Sequence, residues 1–341
     1  LLTAFKKNIL NNSTSKAFLV GAANNIKLQF LSSSFVTSFN SSYRLTVFNT
    51  YTLPAVALSS NLNKQNCMKP MGYLLLMFFL FISSSSASQN QDPIPVYESF
   101  SIESKQVVET RTINVWTPPG YLTNVDSFTV LYMADGGMKE DFPHIANTIA
   151  ELVKSKKIPP VILVGIENTQ RRRDLTGPTE IKEDKKIAPV VGGAEKFRAF
   201  IKEELFFEVN KRYRTTNKRG IIGESLAGLF VVETFLYNPD MFSYYIAMDP
   251  SLWWNNHYLV RTFLFFFFKL SAGEKRFWFA GSSVTDISLH TKELDNILKS
   301  ENRLNLKWNY SDEPKEKHHT IFRATKEKAL IWTFDINEND R

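Results

Sequence analysis

The residues best suited to chemistry surround Ser225, in the hexapeptide GESLAG over Gly223–Gly228. An apolar run typical of a buried strand precedes it, and an apolar run with helical spacing follows. A tight strand-to-helix turn of this kind exposes the serine hydroxyl above the sheet, and the residues two before and two after it must then be small. Gly223 and Ala227 meet this requirement. The pattern predicts a nucleophilic serine, the alternative being a serine that caps the helix.

A serine nucleophile needs a base, and the chain has five histidines. Where a serine occupies this kind of turn, the acid and then the histidine follow it in the chain. His144 precedes the serine, while His257 and His290 lie in Asn-rich or helical stretches that suit solvated or capping roles. The sequence therefore favours the pair His318 and His319, which follows the last predicted strand. Only one of the two can reach the serine.

The acid is expected on the loop after the predicted strand Phe277–Ala280. Asp286 is the only carboxylate in the loop that follows this strand, and we predict it as the third catalytic residue. Asp312 and Glu313, beyond the next strand, are the second choice. Asp286 equally suits the N-cap of the helix that begins near Ile287.

Two backbone amides are predicted to stabilise an oxyanion. Leu226 opens the helix after the serine, where the helix dipole and its free N–H groups favour negative charge. The second donor is expected to be Gly136, in the loop after the predicted strand Phe128–Met133, because glycine lets the backbone approach a substrate closely. A plain turn is the alternative for that loop.

Short apolar runs that alternate with helical patterns must position these residues. The predicted strands are 107–116, 128–133, 161–166, 220–223, 245–248, 277–280 and 306–310. The predicted helices are 145–154, 194–209, 226–237, 289–298 and 326–334. Strands alternating with helices predict an α/β fold with a mostly parallel, doubly wound sheet. The apolar segment Phe263–Phe268 is too short to span a bilayer, and we interpret it as a buried helix or a lid over the site.

Composition and charge limit the other functions. The 341 residues carry a net charge of +7, but residues 1–91 hold seven basic residues and no acidic one. Residues 92–341 therefore have 34 basic and 34 acidic residues, so the charge gives no reason to expect a nucleic-acid partner. The single cysteine, Cys67, excludes an internal disulfide framework and a cysteine-based zinc site.

Residues 68–88 have the pattern of a signal peptide, and a buried hydrophobic helix is the alternative. Lys69 is followed by a ten-residue apolar run, Tyr73–Ile82, and by small residues suited to cleavage near Ala87. We interpret residues 1–67 as a non-native or unstructured extension, with an organellar transit peptide as the alternative. The sequence thus predicts an exported protein, without a stable membrane anchor after cleavage, whose catalytic domain covers residues 95–335.

With these residues placed, the chain resembles the esterase family of α/β-hydrolases that includes enterochelin and other siderophore esterases, esterase D and feruloyl esterases. The resemblance covers about residues 95–335. It is carried by the stretches 131–136, 164–176, 223–228, 250–254 and 318–321. In Glu316-Lys317-His318-His319-Thr320 the resemblance implies that His318 is the base. Some siderophore esterases that resemble this chain work with a Ser–His dyad, which makes Asp286 less important.

The resemblance implies an α/β-hydrolase fold and a serine esterase that cleaves a small-molecule ester through an acyl-enzyme, without metal or organic cofactor. Siderophore and plant-wall esters are the substrate classes it suggests. Trp253 and Trp254 are predicted to line an aromatic pocket, with core packing as the alternative. Arg171 is predicted to bind an anionic substrate, and a salt bridge between Asp174 and a neighbouring arginine is the alternative. Rival functions are an acyltransferase with the same residues and a non-catalytic binding protein.

Overall fold

The computed structural model describes residues 92–267, 273–301 and 304–335. The predicted extension 1–67 and the signal-like segment 68–88 lie outside these ranges, as does Phe268 at the end of the predicted apolar segment. Within the described ranges, no helix combines the length and apolar character that crossing a membrane requires.

Eight strands form one sheet. They are β1 (Glu98–Ser104), β2 (Glu109–Trp116), β3 (Phe128–Ala134), β4 (Val161–Ile166), β5 (Thr215–Glu224), β6 (Tyr244–Met248), β7 (Lys275–Gly281) and β8 (Leu306–Asp312). Their order across the sheet is β1-β2-β4-β3-β5-β6-β7-β8. The β1–β2 and β2–β4 pairs are antiparallel, and every other neighbouring pair is parallel. The carboxyl ends of β5, β6, β7 and β8 therefore lie side by side at one edge.

Helices cover both faces of this sheet. They are α1 (Phe142–Lys154), α2 (Arg171–Asp174), α3 (Lys182–Ile187), α4 (Ala194–Ala199), α5 (Phe206–Arg212), α6 (Leu226–Tyr237), α7 (Trp254–Phe267), α8 (Thr285–Ser300) and α9 (Ile321–Phe334). A π-helical turn, Phe200–Leu205, joins α4 to α5. Helices α1 and α9 pack on one face, in a core with Leu131 and Met133, while α4 to α8 share the other core with Tyr132. Adjacent residues of β3 thus face opposite cores, as strand geometry requires.

Helix α6 lies at the centre of the second core. Eleven of its twelve residues are buried, which matches its lack of a polar face. Because α6 starts immediately after Ser225, this packing fixes the helix N-terminus beneath the serine.

The predicted α/β fold class is confirmed, and all seven predicted strands are present within a few residues of their expected ends. Strand β1 was not predicted, because Glu98–Ser104 carries only two large apolar residues, Phe100 and Ile102, and lies at the sheet edge. Phe263–Phe267 belongs to α7, where Phe263 and Phe267 are buried and Phe265 is 64% exposed. This part of the segment is therefore an amphipathic helix with one buried face.

Candidate active site

The turn between β5 and α6 holds Ser225 in a conformation that L-residues rarely adopt, with φ 59° and ψ −118°. The Ser225 amide donates a hydrogen bond to the Met248 carbonyl of β6 at 3.0 Å, and its carbonyl accepts one from the Leu229 amide at 2.9 Å. A Cβ added at Gly223 would lie 2.6 Å from the Ala227 carbonyl carbon, so the turn requires glycine there. The expectation of a sharp turn with small flanking residues is confirmed.

His318 lies next to this serine. It follows β8 in the turn before α9, and its Nε2 is 3.0 Å from the Ser225 hydroxyl oxygen. Its other ring nitrogen, Nδ1, is 2.6 Å from Oδ2 of Asp249. The hydrogen bond to Asp249 raises the pKa of His318. Nδ1–H donating to the carboxylate leaves Nε2 free to accept the serine proton, which is the tautomer a general base needs.

Asp249 is built into the edge of the sheet. It follows β6, has φ 47°, and is fully buried. Its Oδ1 accepts a hydrogen bond from the Ser282 amide at 2.6 Å, and its Oδ2 accepts one from the Ser282 hydroxyl at 2.9 Å. Three donors therefore satisfy a carboxylate that has no access to water, and together they orient it toward His318.

The position of Asp249 corrects the prediction of Asp286 as the acid. Asp286 is exposed in the first turn of α8, whose N-cap is Val284, so the structure supports neither the catalytic role nor the N-cap role. The second-choice residues do not contact His318 either: Asp312 pairs with Lys292, and Glu313 pairs with Lys328. The loop after β7 contributes Ser282 to the site instead of a carboxylate.

The sequence did contain a signal for Asp249. It directly follows a buried strand, and its neighbours Pro250–Trp254 already belonged to the stretches that carry the family resemblance. The expected positions of the acid, after β7 or at the end of β8, did not include the end of β6. Strands β6 and β7 are adjacent and parallel, so a side chain at the end of either one can reach the same histidine.

The two predicted oxyanion donors have different surroundings. Leu226 is the first residue of α6, so its amide has no intrahelical acceptor. The Gly136 amide, by contrast, donates to the Ile166 carbonyl at 3.0 Å, and the next amide, of Gly137, donates to Oε2 of Glu140 at 2.6 Å. The prediction for Gly136 is therefore wrong: its N–H joins the loop to the end of β4 and is not available to a substrate.

A polar network fixes the loop that follows β3. Arg171 donates from Nε and Nη2 to the two carboxylate oxygens of Asp135, at 2.5 and 2.7 Å. Asn168 donates to the same carboxylate at 2.6 Å and to Glu140 at 2.9 Å. Arg171 is 35% exposed, but its charge is already paired, so the structure gives it a role in positioning this loop. Its predicted role as an anion ligand stays a prediction.

Helix α2 also contains the predicted internal salt bridge at Asp174. Asp174 is buried and accepts hydrogen bonds from Arg173 at 2.7 Å and from Arg111 at 2.6 Å. The alternative of a structural ion pair at Asp174 is confirmed. Buried pairs of this kind are costly to break, because removing one partner leaves an uncompensated charge.

The two tryptophans after Asp249 are in different environments. Trp254 is 4% exposed, and its indole N–H donates to the Gly177 carbonyl at 3.2 Å. It also lines a cavity of about 310 Å³ with Tyr237 and Tyr258. Trp253 is half-buried, and its ring centroid is 5.9 Å from that of Trp254. Trp254 thus combines core packing with a cavity wall, and substrate binding by either residue stays a prediction.

Glu224, the residue before Ser225, is a further ionisable group at the site, and the sequence reasoning gave it no role. Burial, followed by the nearby carboxylate of Asp141, raises the pKa of Glu224 to about 7. His318 acts in the opposite direction, and Asp249 and Asp135 raise the pKa further. The remaining predicted candidate, His319, is exposed. In the described ranges, no group of three or more His, Cys, Asp or Glu side chains could hold a metal ion.

The sheet order, the strained serine at the β5–α6 turn and the histidine after β8 define an α/β-hydrolase with a Ser225–His318–Asp249 arrangement. Residues 104–299 match the family described as "Putative esterase", and the chain belongs to this family.

Individual relatives agree with this assignment. The chain is 31% identical over 199 residues to ferri-bacillibactin esterase BesA of Bacillus subtilis, covering 52% of this chain and 66% of that protein. It is 31% identical over 173 residues to the apo-salmochelin esterase of an Escherichia coli O6:H1 strain, covering 46% and 52%. These matches span only about half to two thirds of the relatives' own lengths. Among solved structures, an IroE-like serine hydrolase from Shewanella oneidensis superposes with a TM-score of 0.63 and 25% identity, over 70% of this chain and 80% of that one.

Proposed function

We propose that this protein is a serine carboxylic ester hydrolase whose catalytic residues are Ser225, His318 and Asp249. The observation that carries the proposal is the continuous hydrogen-bonded chain from the serine hydroxyl through both nitrogens of one imidazole to a buried carboxylate, at 3.0 and 2.6 Å. Membership of the esterase family supports the ester bond as the one that is cleaved.

The proposed reaction has two halves. His318 Nε2 takes the hydroxyl proton as Ser225 attacks the ester carbonyl, and the Asp249 carboxylate stabilises the imidazolium that forms. The resulting oxyanion is held by the Leu226 amide at the N-terminus of α6. His318 then gives its proton to the leaving alcohol, and a water molecule, activated by the same nitrogen, hydrolyses the acyl-enzyme.

We propose a small-molecule ester as the substrate, with siderophore esters as the first class to test. Support comes from relatives named as esterases of bacillibactin and salmochelin, which are siderophores. The site itself adds a serine in a strained turn at the N-terminus of α6, which suits attack on an ester carbonyl. An acyltransferase would use the same residues with a different acceptor, and product analysis separates it from a hydrolase.

The test is a p-nitrophenyl ester chain-length series measured on wild-type protein, Ser225→Ala and His318→Ala. Both variants are expected to lose at least about a thousandfold in kcat/KM, because each removes a member of a unit that acts together. His319→Ala is the matched control, since His319 is adjacent in sequence and exposed. Wild-type activity in Ser225→Ala, or equal losses in His318→Ala and His319→Ala, would contradict the proposal.

We further propose that the protein is exported, on the strength of the signal-like pattern at residues 68–88. Expression of the full chain with N-terminal sequencing of the exported product tests this. A mature N-terminus near residue 88 is expected, and an uncleaved chain retained inside the cell would contradict export.

A further inference from the structure

Glu224 is an ionisable group beside the nucleophile that the proposed mechanism does not use. It ends β5, pairs with Met248 of β6, and is half-buried. Among the described residues, none donates a hydrogen bond to its carboxylate, although Arg171 Nη2 lies 3.5 Å from its backbone carbonyl. A partly buried carboxylate that no protein donor satisfies is free to interact with a substrate.

The charges that face Glu224 come from every element around it. Asp135 and Asp141 follow β3, Asp249 follows β6, and His318 follows β8. Arg171 of α2 also faces it, but Arg171 Nε and Nη2 donate to the Asp135 carboxylate, and its hydrogen bond to Glu224 goes to the backbone carbonyl.

Pairing these groups leaves an excess of negative charge. Arg171 is neutralised by Asp135, and His318 is bound to Asp249. Asp141 is 3.0 Å from the ring of His144, which is itself buried on α1. Arg323 and Lys326 of α9 also interact electrostatically with Asp141. When His318 is neutral, the carboxylates of Glu224 and Asp249 are therefore the charges beside the serine that no described cation pairs. Because Glu224 has a pKa of about 7, this excess grows as the pH rises through neutrality.

We propose that Glu224 selects substrates by charge, so that the site accepts esters with a neutral or cationic group near the scissile carbonyl and rejects those with an anionic group there. The inference rests on the proposed function, since it concerns the substrate of the Ser225 site. A carboxylate charge about 6 Å from a charged group of the substrate, in a partly desolvated site, changes the affinity for that substrate by roughly tenfold or more. It strengthens the binding of cations and weakens the binding of anions.

Three p-nitrophenyl esters of similar length test the inference: the valerate, the glutarate monoester and the 4-(trimethylammonio)butyrate. They share a leaving group and differ mainly in the charge at the end of the acyl chain. The readout is the ratio of kcat/KM for the cationic ester to that for the anionic ester, at pH 6 and pH 8.5. The protonation state of His318 changes kcat/KM for both esters by the same factor, because both need the same base. It therefore does not affect the ratio.

The wild-type ratio is expected to exceed about tenfold at pH 8.5 and to fall toward pH 6, where Glu224 is protonated. Glu224→Gln, which keeps the shape and removes the charge, is expected to lower the ratio at pH 8.5 at least about fivefold. Glu224→Asp, which keeps the charge, is expected to retain most of the preference. Glu151→Gln, an exposed carboxylate of α1, is the matched control and is expected to leave the ratio unchanged.

Two results would overturn the inference while leaving the proposed function intact. The first is a wild-type ratio close to 1, or a wild-type ratio that does not change between pH 6 and pH 8.5. This result does not depend on whether any variant folds. The other is an unchanged ratio in Glu224→Gln. In both cases Ser225→Ala would still be inactive toward all three esters, whereas activity in Ser225→Ala would refute the proposed function itself.

Discussion

Replacing Asp249 with asparagine is expected to remove most of the activity while leaving the fold in place. The carboxylate is fully buried and binds His318 Nδ1 at 2.6 Å, a short charge-assisted hydrogen bond. An asparagine can still accept the hydrogen bond from the Ser282 amide through its carbonyl oxygen, but its NH₂ group would then face Nδ1 and the Ser282 hydroxyl. Nδ1 would become an acceptor and Nε2 would carry the proton, so Nε2 could no longer accept the proton of Ser225.

The loss can be estimated from this change of tautomer. In serine hydrolases, the Asp-to-Asn change at the triad acid costs about 10⁴ in kcat, so we expect a loss of roughly 10³ to 10⁴ here. That loss corresponds to about 4 to 5.5 kcal/mol of transition-state stabilisation. The assay is kcat/KM toward a p-nitrophenyl ester, with circular dichroism and thermal melting to confirm folding. Asp286→Asn is the matched control, and we expect its activity to stay within about twofold of wild type, because Asp286 is exposed and outside the site.

The pH profile gives a second readout of the same contact. Asp249 raises the pKa of His318, so wild-type kcat/KM should rise with pH through a value above the ordinary histidine pKa. In Asp249→Asn the residual activity should show this rise at lower pH. Activity of Asp249→Asn within tenfold of wild type, with an unshifted profile, would refute the role of Asp249 and indicate that His318 works as part of a Ser–His dyad.

Three further predictions concern the turn at Ser225 and the residues around it. Gly223→Ala should lower the free energy of unfolding by about 1–3 kcal/mol and abolish activity, as checked by melting and kcat, because its Cβ would lie 2.6 Å from the backbone of Ala227. Glu224→Gln should remove a pH dependence of stability. The folded protein keeps a proton on Glu224 that the unfolded chain releases between pH 4.5 and about 7, so the wild type should lose stability as the pH rises through that window, and urea unfolding at pH 5 and 8 measures the loss. Ser282→Ala should cost less activity than Asp249→Asn, since it removes one of three donors to the acid and leaves the charge, and a loss as large in kcat would contradict this.

The sequence was sufficient to predict the parallel core of the sheet and the sharp turn at Ser225. Buried parallel strands appear as short apolar runs, and the turn at Ser225 leaves a local pattern of small residues at fixed positions, which the structure reproduces with φ 59° at the serine. Both signals are local. They do not depend on which strands become neighbours.

The acid and the second oxyanion donor could not be predicted in the same way, because each depends on contacts between distant segments. Asp249 reaches His318 across 69 positions of sequence, and only the adjacency of β6 and β7 shows that an acid on either strand could do so. The Gly136 amide is occupied because the loop after β3 lies against the end of β4, a contact with Ile166 that no local pattern records. Glu224 escaped notice for a related reason, since its pKa depends on four groups from three other segments.

The most direct measurement of the central claim is the mass of the protein during turnover of a slowly deacylating ester. Intact-mass spectrometry after rapid acid quenching should show one added acyl group, and peptide mapping should place it on Ser225. The adduct should be absent in Ser225→Ala. An acyl group on another residue, or full hydrolysis in Ser225→Ala, would contradict the account.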